Sequence, residues 1–212
     1  MIVLFKELST GVTNTLLIFF LTLILSLPLG LVILFGKRSK ISPIRWFING
    51  FISVMRGTPL MLQLMFVYFG PFYLFGLPSP GRFKAVMVAF VLNYSAYFAE
   101  IYRGGLDSIP EGQYEAAKVL GLNKRQTFMK IILPQVVKRV LPSITNEVMT
   151  LVKDTSLAMV ISVSETFTVA KAMAAREASM APYVAVAIFY YIMNYIVGFI
   201  MNRLEKNLEY YK

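Results

Sequence analysis

Long uncharged, mostly apolar runs alternate along the chain with short clusters of charge. They cover residues 8–36, 57–81, 85–99 and 178–202, and 46–55 extends the second run past a single Arg56. A helix rising about 1.5 Å per residue needs roughly 20 residues to cross a bilayer core of about 30 Å. The pattern predicts membrane-spanning helices near 11–36, 47–76, 83–103 and 182–203. The 47–76 stretch is too long for one straight crossing, so part of it must tilt, break or lie outside the core. A fifth crossing is less visible: 136–152 is apolar except for Lys138, Arg139 and Glu147. The expected fold is therefore an all-α membrane protein with five transmembrane helices.

Charge sets the orientation. Lys37, Arg38, Lys40 and Arg45 follow the first run directly, which marks that end as cytoplasmic. The N-terminus is then outside, and five crossings put the C-terminus in the cytoplasm. Fourteen of the 21 Lys and Arg residues fall on the inner segments of this arrangement and six on the outer ones, among them Lys6, Arg82 and Lys84. The first run exceeds the roughly 7–15 residues of a signal-peptide core and has no small-residue cleavage site at its basic end, so it is expected to remain as a helix.

Composition agrees and removes other classes. The 212 residues are 57% hydrophobic and only 15% charged, against about 25% charged in a soluble domain. Too few polar side chains exist to cover a water-facing exterior, which places the chain in a bilayer as one domain. Cysteine and histidine are both absent. That excludes disulfides, thiolate nucleophiles, Cys or His metal sites and Ser-His-Asp catalysis, and no cofactor is expected. The net charge of +10 fits cytoplasmic loops better than a nucleic-acid partner.

The stretch 104–133 is the most informative loop. Ile109-Pro110-Glu111 ends the third span, 111–119 has good helix formers, and Gly121 can close that helix at its C-terminus. Asn123 can cap a second short helix reaching about Ile132, with Pro134 beginning the next segment. Taken alone, this describes an amphipathic connector on the membrane surface. Its residues carry more: Glu115-Ala116-Ala117, then Leu120-Gly121, then Ile131 and Leu133-Pro134 match the spacing of the EAA motif and resemble permease subunits of type I ABC importers. Further blocks resemble the polar amino-acid branch of that family, close to permeases for arginine, histidine and glutamine. These are Arg56-Gly57-Thr58-Pro59-Leu60, Asn93-Tyr94-Ser95-Ala96-Tyr97 through Gly105, and Lys153-Asp154-Thr155-Ser156-Leu157.

The resemblance implies a permease domain over 11–204, with the cytoplasmic coupling loop at 104–134 inside it. It implies Glu115, Ala116, Ala117, Leu120, Gly121 and Pro134 as the surface that docks on a cytoplasmic ATPase, two copies of which attach below. It also implies a second permease subunit, as a homodimer or with a sister chain, and an extracytoplasmic amino-acid-binding protein, all in the cell membrane of a prokaryote. The chain carries no motor of its own: 30–37 has one residue too many between its glycines for a phosphate loop, and Arg38 stands where Ser or Thr is needed.

Two charges inside the spans need a reason. A charge at the bilayer centre costs roughly 2.5–3.5 kcal/mol on insertion scales, so Arg56 and Glu147 should face protein or water. One reading is an Arg56–Glu147 ion pair between helices; the other is a polar pocket at mid-membrane, where transporter sites commonly sit. Asp154 lies two turns beyond Glu147 on the same helix face, about 10 Å along the axis, with Ser143 on the same stripe. Two carboxylates at that spacing suit an extended cationic amino acid, although Asp154 also reads as a helix-end charge beside Lys153. Thr155, next in the chain, is counted with them. Asn93 and Tyr94 lie midway along the third span and serve as pocket walls or as interhelical hydrogen bonds. Thr58 and Pro59 free backbone carbonyls or simply kink the second helix, and Met61, Leu62 and Met65 line a pocket or pack. The segment 155–181 reads as a gate, a binding-protein contact or a surface helix pair.

The sequence thus points to the pore-forming permease of an ATP-driven importer, moving polar and particularly basic amino acids by alternating access. Glutamine or another neutral amino acid is the alternative cargo. A secondary transporter is disfavoured because no internal repeat is present, and a passive scaffold would leave Arg56 and Glu147 without a use.

Overall fold

The structure is a computed structural model that describes residues 2–208, with side chains from Ser9 onward. Met1 and Lys212, the ends on which the orientation argument closes, and the side chain of Lys6 lie outside the described residues. The regular elements among the described residues are all helical: α1 (Ile2–Lys37), α2 (Ser42–Gly57), α3 (Leu60–Phe75), α4 (Arg82–Asp107), α5 (Glu111–Val119), α6 (Lys124–Gln126) with a π-helical turn at Thr127–Ile132, α7 (Leu133–Asp154) with a 3₁₀ turn at Thr155–Ile161, α8 (Thr166–Glu177) and α9 (Ala181–Asn207).

Among the described residues, Ser9–Lys37, Arg82–Asp107 and Ala181–Asn207 are long and apolar enough to cross a bilayer as single helices. Two bent units bring the number of crossings to as many as five: α2 with α3, and 124–161 with α8. α4 is the centre. Its buried residues include Val86, Phe90, Tyr94, Phe98 and Ala99, and α1 packs along it. The two backbones come close at Gly30, where a Cβ would stand 2.9 Å from that of Phe98 and 3.2 Å from the Ser95 carbonyl oxygen. Large apolar side chains remain exposed on α1, α3 and α9, as expected of helix faces whose solvent is lipid.

The 47–76 stretch resolves by breaking. α2 and α3 meet at 111°. Thr58 is extended (φ −124°, ψ 149°), the conformation favoured before proline, and Pro59 caps α3. The opened turn leaves the Met55 carbonyl without its helical donor. Asn93 Nδ2 and Gln63 Nε2 supply donors to it at 3.0 and 2.9 Å.

The 104–134 loop forms the expected pair of short helices. Gly121 has φ +72°, its N–H bonds the Lys118 carbonyl, and the Leu122 N–H bonds that of Ala117, a Schellman closure of α5. Asn123 and Gln126 make a reciprocal capping box at the start of α6.

The 155–181 segment is neither a loop nor a surface helix pair. After the 3₁₀ turn, α8 packs between α1 and α9. Its cap is Glu165, fully buried, whose carboxylate accepts from the N–H groups of Phe167 and Thr168 at 2.7 and 2.6 Å and from the Tyr190 hydroxyl at 3.1 Å.

Candidate functional site

Between α4 and α7 lies a cavity of about 580 Å³. α7 reaches it with Arg139, Ser143 and Glu147. α4 reaches it with Tyr97, Glu100, Arg103 and Gly104, and the end of α2 with Arg56. Helical periodicity explains the set: Arg139, Ser143 and Glu147 are four residues apart and share one face of α7.

Glu147, a predicted site residue, is half-buried in this cavity. Arg56 lines it too, but the proposed Arg56–Glu147 ion pair is not made. The break at Thr58–Pro59 ends α2 just past Arg56, so a depth count along one straight helix does not apply. Arg56 instead lies 3.7 Å from Glu100 and stacks over the Tyr97 ring at 5.3 Å. Glu100 is a hub: Lys37 from the end of α1 contacts one carboxylate oxygen, and Arg103 donates to the other at 3.0 and 3.1 Å. Arg103 also reaches Asp107 at 2.8 Å, which Arg38 contacts in turn. One network therefore ties the ends of α1 and α2 to α4.

Asp154 does not stand free beside Lys153. The buried Tyr94 hydroxyl donates to its Oδ2 at 2.8 Å, joining α4 to the far end of α7. The two carboxylates thus share a helix face, but Glu147 opens into the cavity and Asp154 is held by a partner. Asn93, next to Tyr94, points elsewhere. It bonds the Met55 carbonyl and Gln63 Oε1, while Gln63 Nε2 also donates to Thr58 Oγ1 at 2.8 Å. Asn93 and Thr58 therefore hold the α2–α3 break and lie apart from Glu147. Thr155 is fully buried and its hydroxyl donates to the Val152 carbonyl at 2.7 Å, which corrects its grouping with the pocket residues. Met61, Leu62 and Met65 are exposed on α3.

The coupling surface is also corrected in part. Ala117 is only 2% exposed, because it faces its own chain. Glu115, Ala116, Gly121 and Pro134 are exposed, and Leu120 and its neighbour Val119 stand 75% and 87% exposed, bulky apolar groups with no cover in this chain.

Gln63, Glu100 and Glu165 were not singled out by sequence. Glu100 stood in a recognised block and its i, i+3 pairing with Arg103 is local, but its contacts with Lys37 and Arg56 depend on chain crossings that no local pattern reports. A polar Gln63 inside an uncharged membrane run was the available signal for the clamp.

Residues 26–210 match the family model described as binding-protein-dependent transport system inner membrane component. The chain belongs to this family. As its membrane component, it is the permease of an ABC importer: it works with an ATP-binding subunit that hydrolyses the ATP and with a substrate-binding protein. It is similar to the arginine transport system permease protein ArtQ of Bacillus subtilis, 38% identical and covering 94% of this chain and 91% of that one. It is similar as well to the L-cystine transport system permease protein TcyB of the same organism, at 34% over 96% and 87%. The glutamine transport system permease protein GlnP of Escherichia coli is 39% identical over 75% and 73%. Among solved structures, an amino acid ABC transporter crystallised with histidines matches with a TM-score of 0.89 at 31% identity, covering 98% and 96% of the two chains. An inward-facing MetNI methionine transporter shares the fold, with a TM-score of 0.74 at 18% identity over 96% of each.

Proposed function

We propose that the chain is the pore-forming permease of an amino-acid importer whose cargo is basic: arginine, lysine or histidine. Two copies form the translocation path, two ATPase subunits dock on the α5 segments, and the assembly sits in a bacterial cell membrane with the N-terminus outside and the C-terminus inside. Relatives named for arginine, cystine and glutamine are of similar identity, so overall likeness supports an amino-acid cargo without choosing one. The observation that carries the choice is Glu147, a carboxylate that enters the α4–α7 cavity without an ion-pair partner among the described residues. A charge kept in a membrane segment at a cost of roughly 2.5–3.5 kcal/mol calls for a cation to meet it. Glutamine remains the second reading, favoured by the GlnP likeness and by Arg56 on the same wall.

The test is Glu147→Gln in the reconstituted transporter. At an effective dielectric of about 20, opposite charges 4 Å apart attract by about 4 kcal/mol, and partial exposure reduces that. Arginine uptake should therefore need about tenfold more substrate for half-maximal rate, while uptake of any neutral amino acid should change by less than about twofold. Equal losses for both would refute a substrate-facing carboxylate.

A further inference from the structure

Five charged side chains line the α4–α7 cavity, and three of them are joined in one ion-pair network. Glu100 is paired with Arg56 and Arg103. The two left outside any salt bridge among the described residues are Arg139 and Glu147, and they stand at opposite ends of the strip that α7 presents. Each four-residue step along that face advances about 6 Å, so one cation and one anion are separated by about 12 Å of axis with Ser143 between them. Arg139 lies at the end of α7 nearer α5. It contacts the carbonyl of Ser108, the C-cap of α4, which fixes its position at the cavity mouth. A guanidinium has five N–H donors in a fork suited to carboxylates, and one carbonyl engages only part of it.

The facing wall is cut away. At Gly104 a Cβ would meet nothing within 4 Å, whereas at the adjacent Gly105 it would run into Val140 Cγ1 at 2.2 Å. Gly105 is needed for helix packing; Gly104 fronts open space. The volume of about 580 Å³ lies within the range of small-molecule sites, roughly 300–1,000 Å³.

We propose that this strip is a release-side station that takes an extended cationic amino acid end-on. Arg139 receives its α-carboxylate, Glu147 its side-chain cation, and Ser143 the polar atoms between. This deepens the reading of the cargo given above and rests on it. It adds a carboxylate receptor, which the Glu147–Asp154 pair lacks, and it favours long cations over short ones because a short zwitterion cannot span both ends.

The test uses the intact permease–ATPase complex in nanodiscs, nucleotide-free and without the binding protein, with labelled arginine as probe and unlabelled arginine or argininamide as competitor. Argininamide keeps the guanidinium and lacks the carboxylate. The parent should prefer arginine by about tenfold or more, the scale of one charge-assisted contact. Arg139→Gln should bring that preference close to one, and Arg139→Lys should restore part of it; a cap on α4 alone would lower both ligands together. Gly104→Leu should abolish binding of both while the complex still elutes intact, since the added side chain fills the cavity and touches no protein atom at its Cβ. Should Gly104→Leu fail to assemble, the Arg139→Gln ratio decides alone. A parent that binds and imports arginine, with an Arg139→Gln variant that keeps the preference, overturns the station only. A parent that neither binds nor imports arginine overturns the cargo reading itself.

Discussion

Glu147 and Arg56 show how far single residues can be read from sequence. Their cost in a membrane was visible from the hydropathy pattern, and so was the shared face of Glu147 and Asp154, because helical spacing is local. Partner choice was not. A straight second helix would have put Arg56 level with Glu147; the break at Thr58–Pro59 turns the chain by 111° and leaves Arg56 with Glu100 and Tyr97. The consequence is testable in the Glu147→Gln variant. If Arg56 relied on Glu147, adding Arg56→Gln would rescue the single change. With Arg56 served by Glu100, the double variant should remain as impaired in arginine uptake as Glu147→Gln or worse, measured at matched protein levels.

α4 and α9 were legible to within a few residues, since long apolar runs, prolines and capping residues are local signals, whereas α1 starts at Ile2 rather than 11 and the 47–76 span starts at Ser42 and divides into two helices. α5 runs over the expected 111–119, and Gly121 and Asn123 punctuate the loop as their chemistry suggests. What was not legible was which side of α5 faces the chain. The Ala116-Ala117 pair looked like one flat face, but successive residues on a helix point about 100° apart, and packing buries Ala117 while leaving Ala116 exposed. We propose that the exposed Ala116, Val119 and Leu120 meet the ATPase. Gly121→Val forces a β-branched residue into φ +72°, which costs about 1–2 kcal/mol or more and should undo the Schellman closure. Together with Leu120→Asp it should leave membrane insertion intact and lower substrate-stimulated ATP hydrolysis and uptake at least fivefold. Parent-like coupling in both variants would reduce the loop to a connector. The role of 155–181 was open in sequence for a related reason: Glu165 is held by α8 and α9 groups, and a buried carboxylate cap has no signature apart from its partners.

At the scale of the molecule, charge asymmetry predicts a membrane orientation and the α4–α7 cavity predicts a cargo. The absence of cysteine makes the first easy to check, because a single cysteine introduced at Ser79, between α3 and α4, has no background. It should react with an impermeant maleimide added outside intact cells; labelling only from the cytoplasmic side would invert the arrangement. The choice of cargo turns on Glu147 in that cavity. The decisive measurement is ATP-driven uptake of labelled arginine into proteoliposomes holding the permease, its ATPase and its binding protein, with unlabelled competitors in about hundredfold excess. We expect lysine and histidine to suppress uptake by more than half and glutamine and cystine to leave it within about 20% of the control, on the ground that the cations alone gain from Glu147. Suppression by glutamine or cystine as strong as that by lysine, or no arginine uptake beside robust glutamine uptake, would contradict the account.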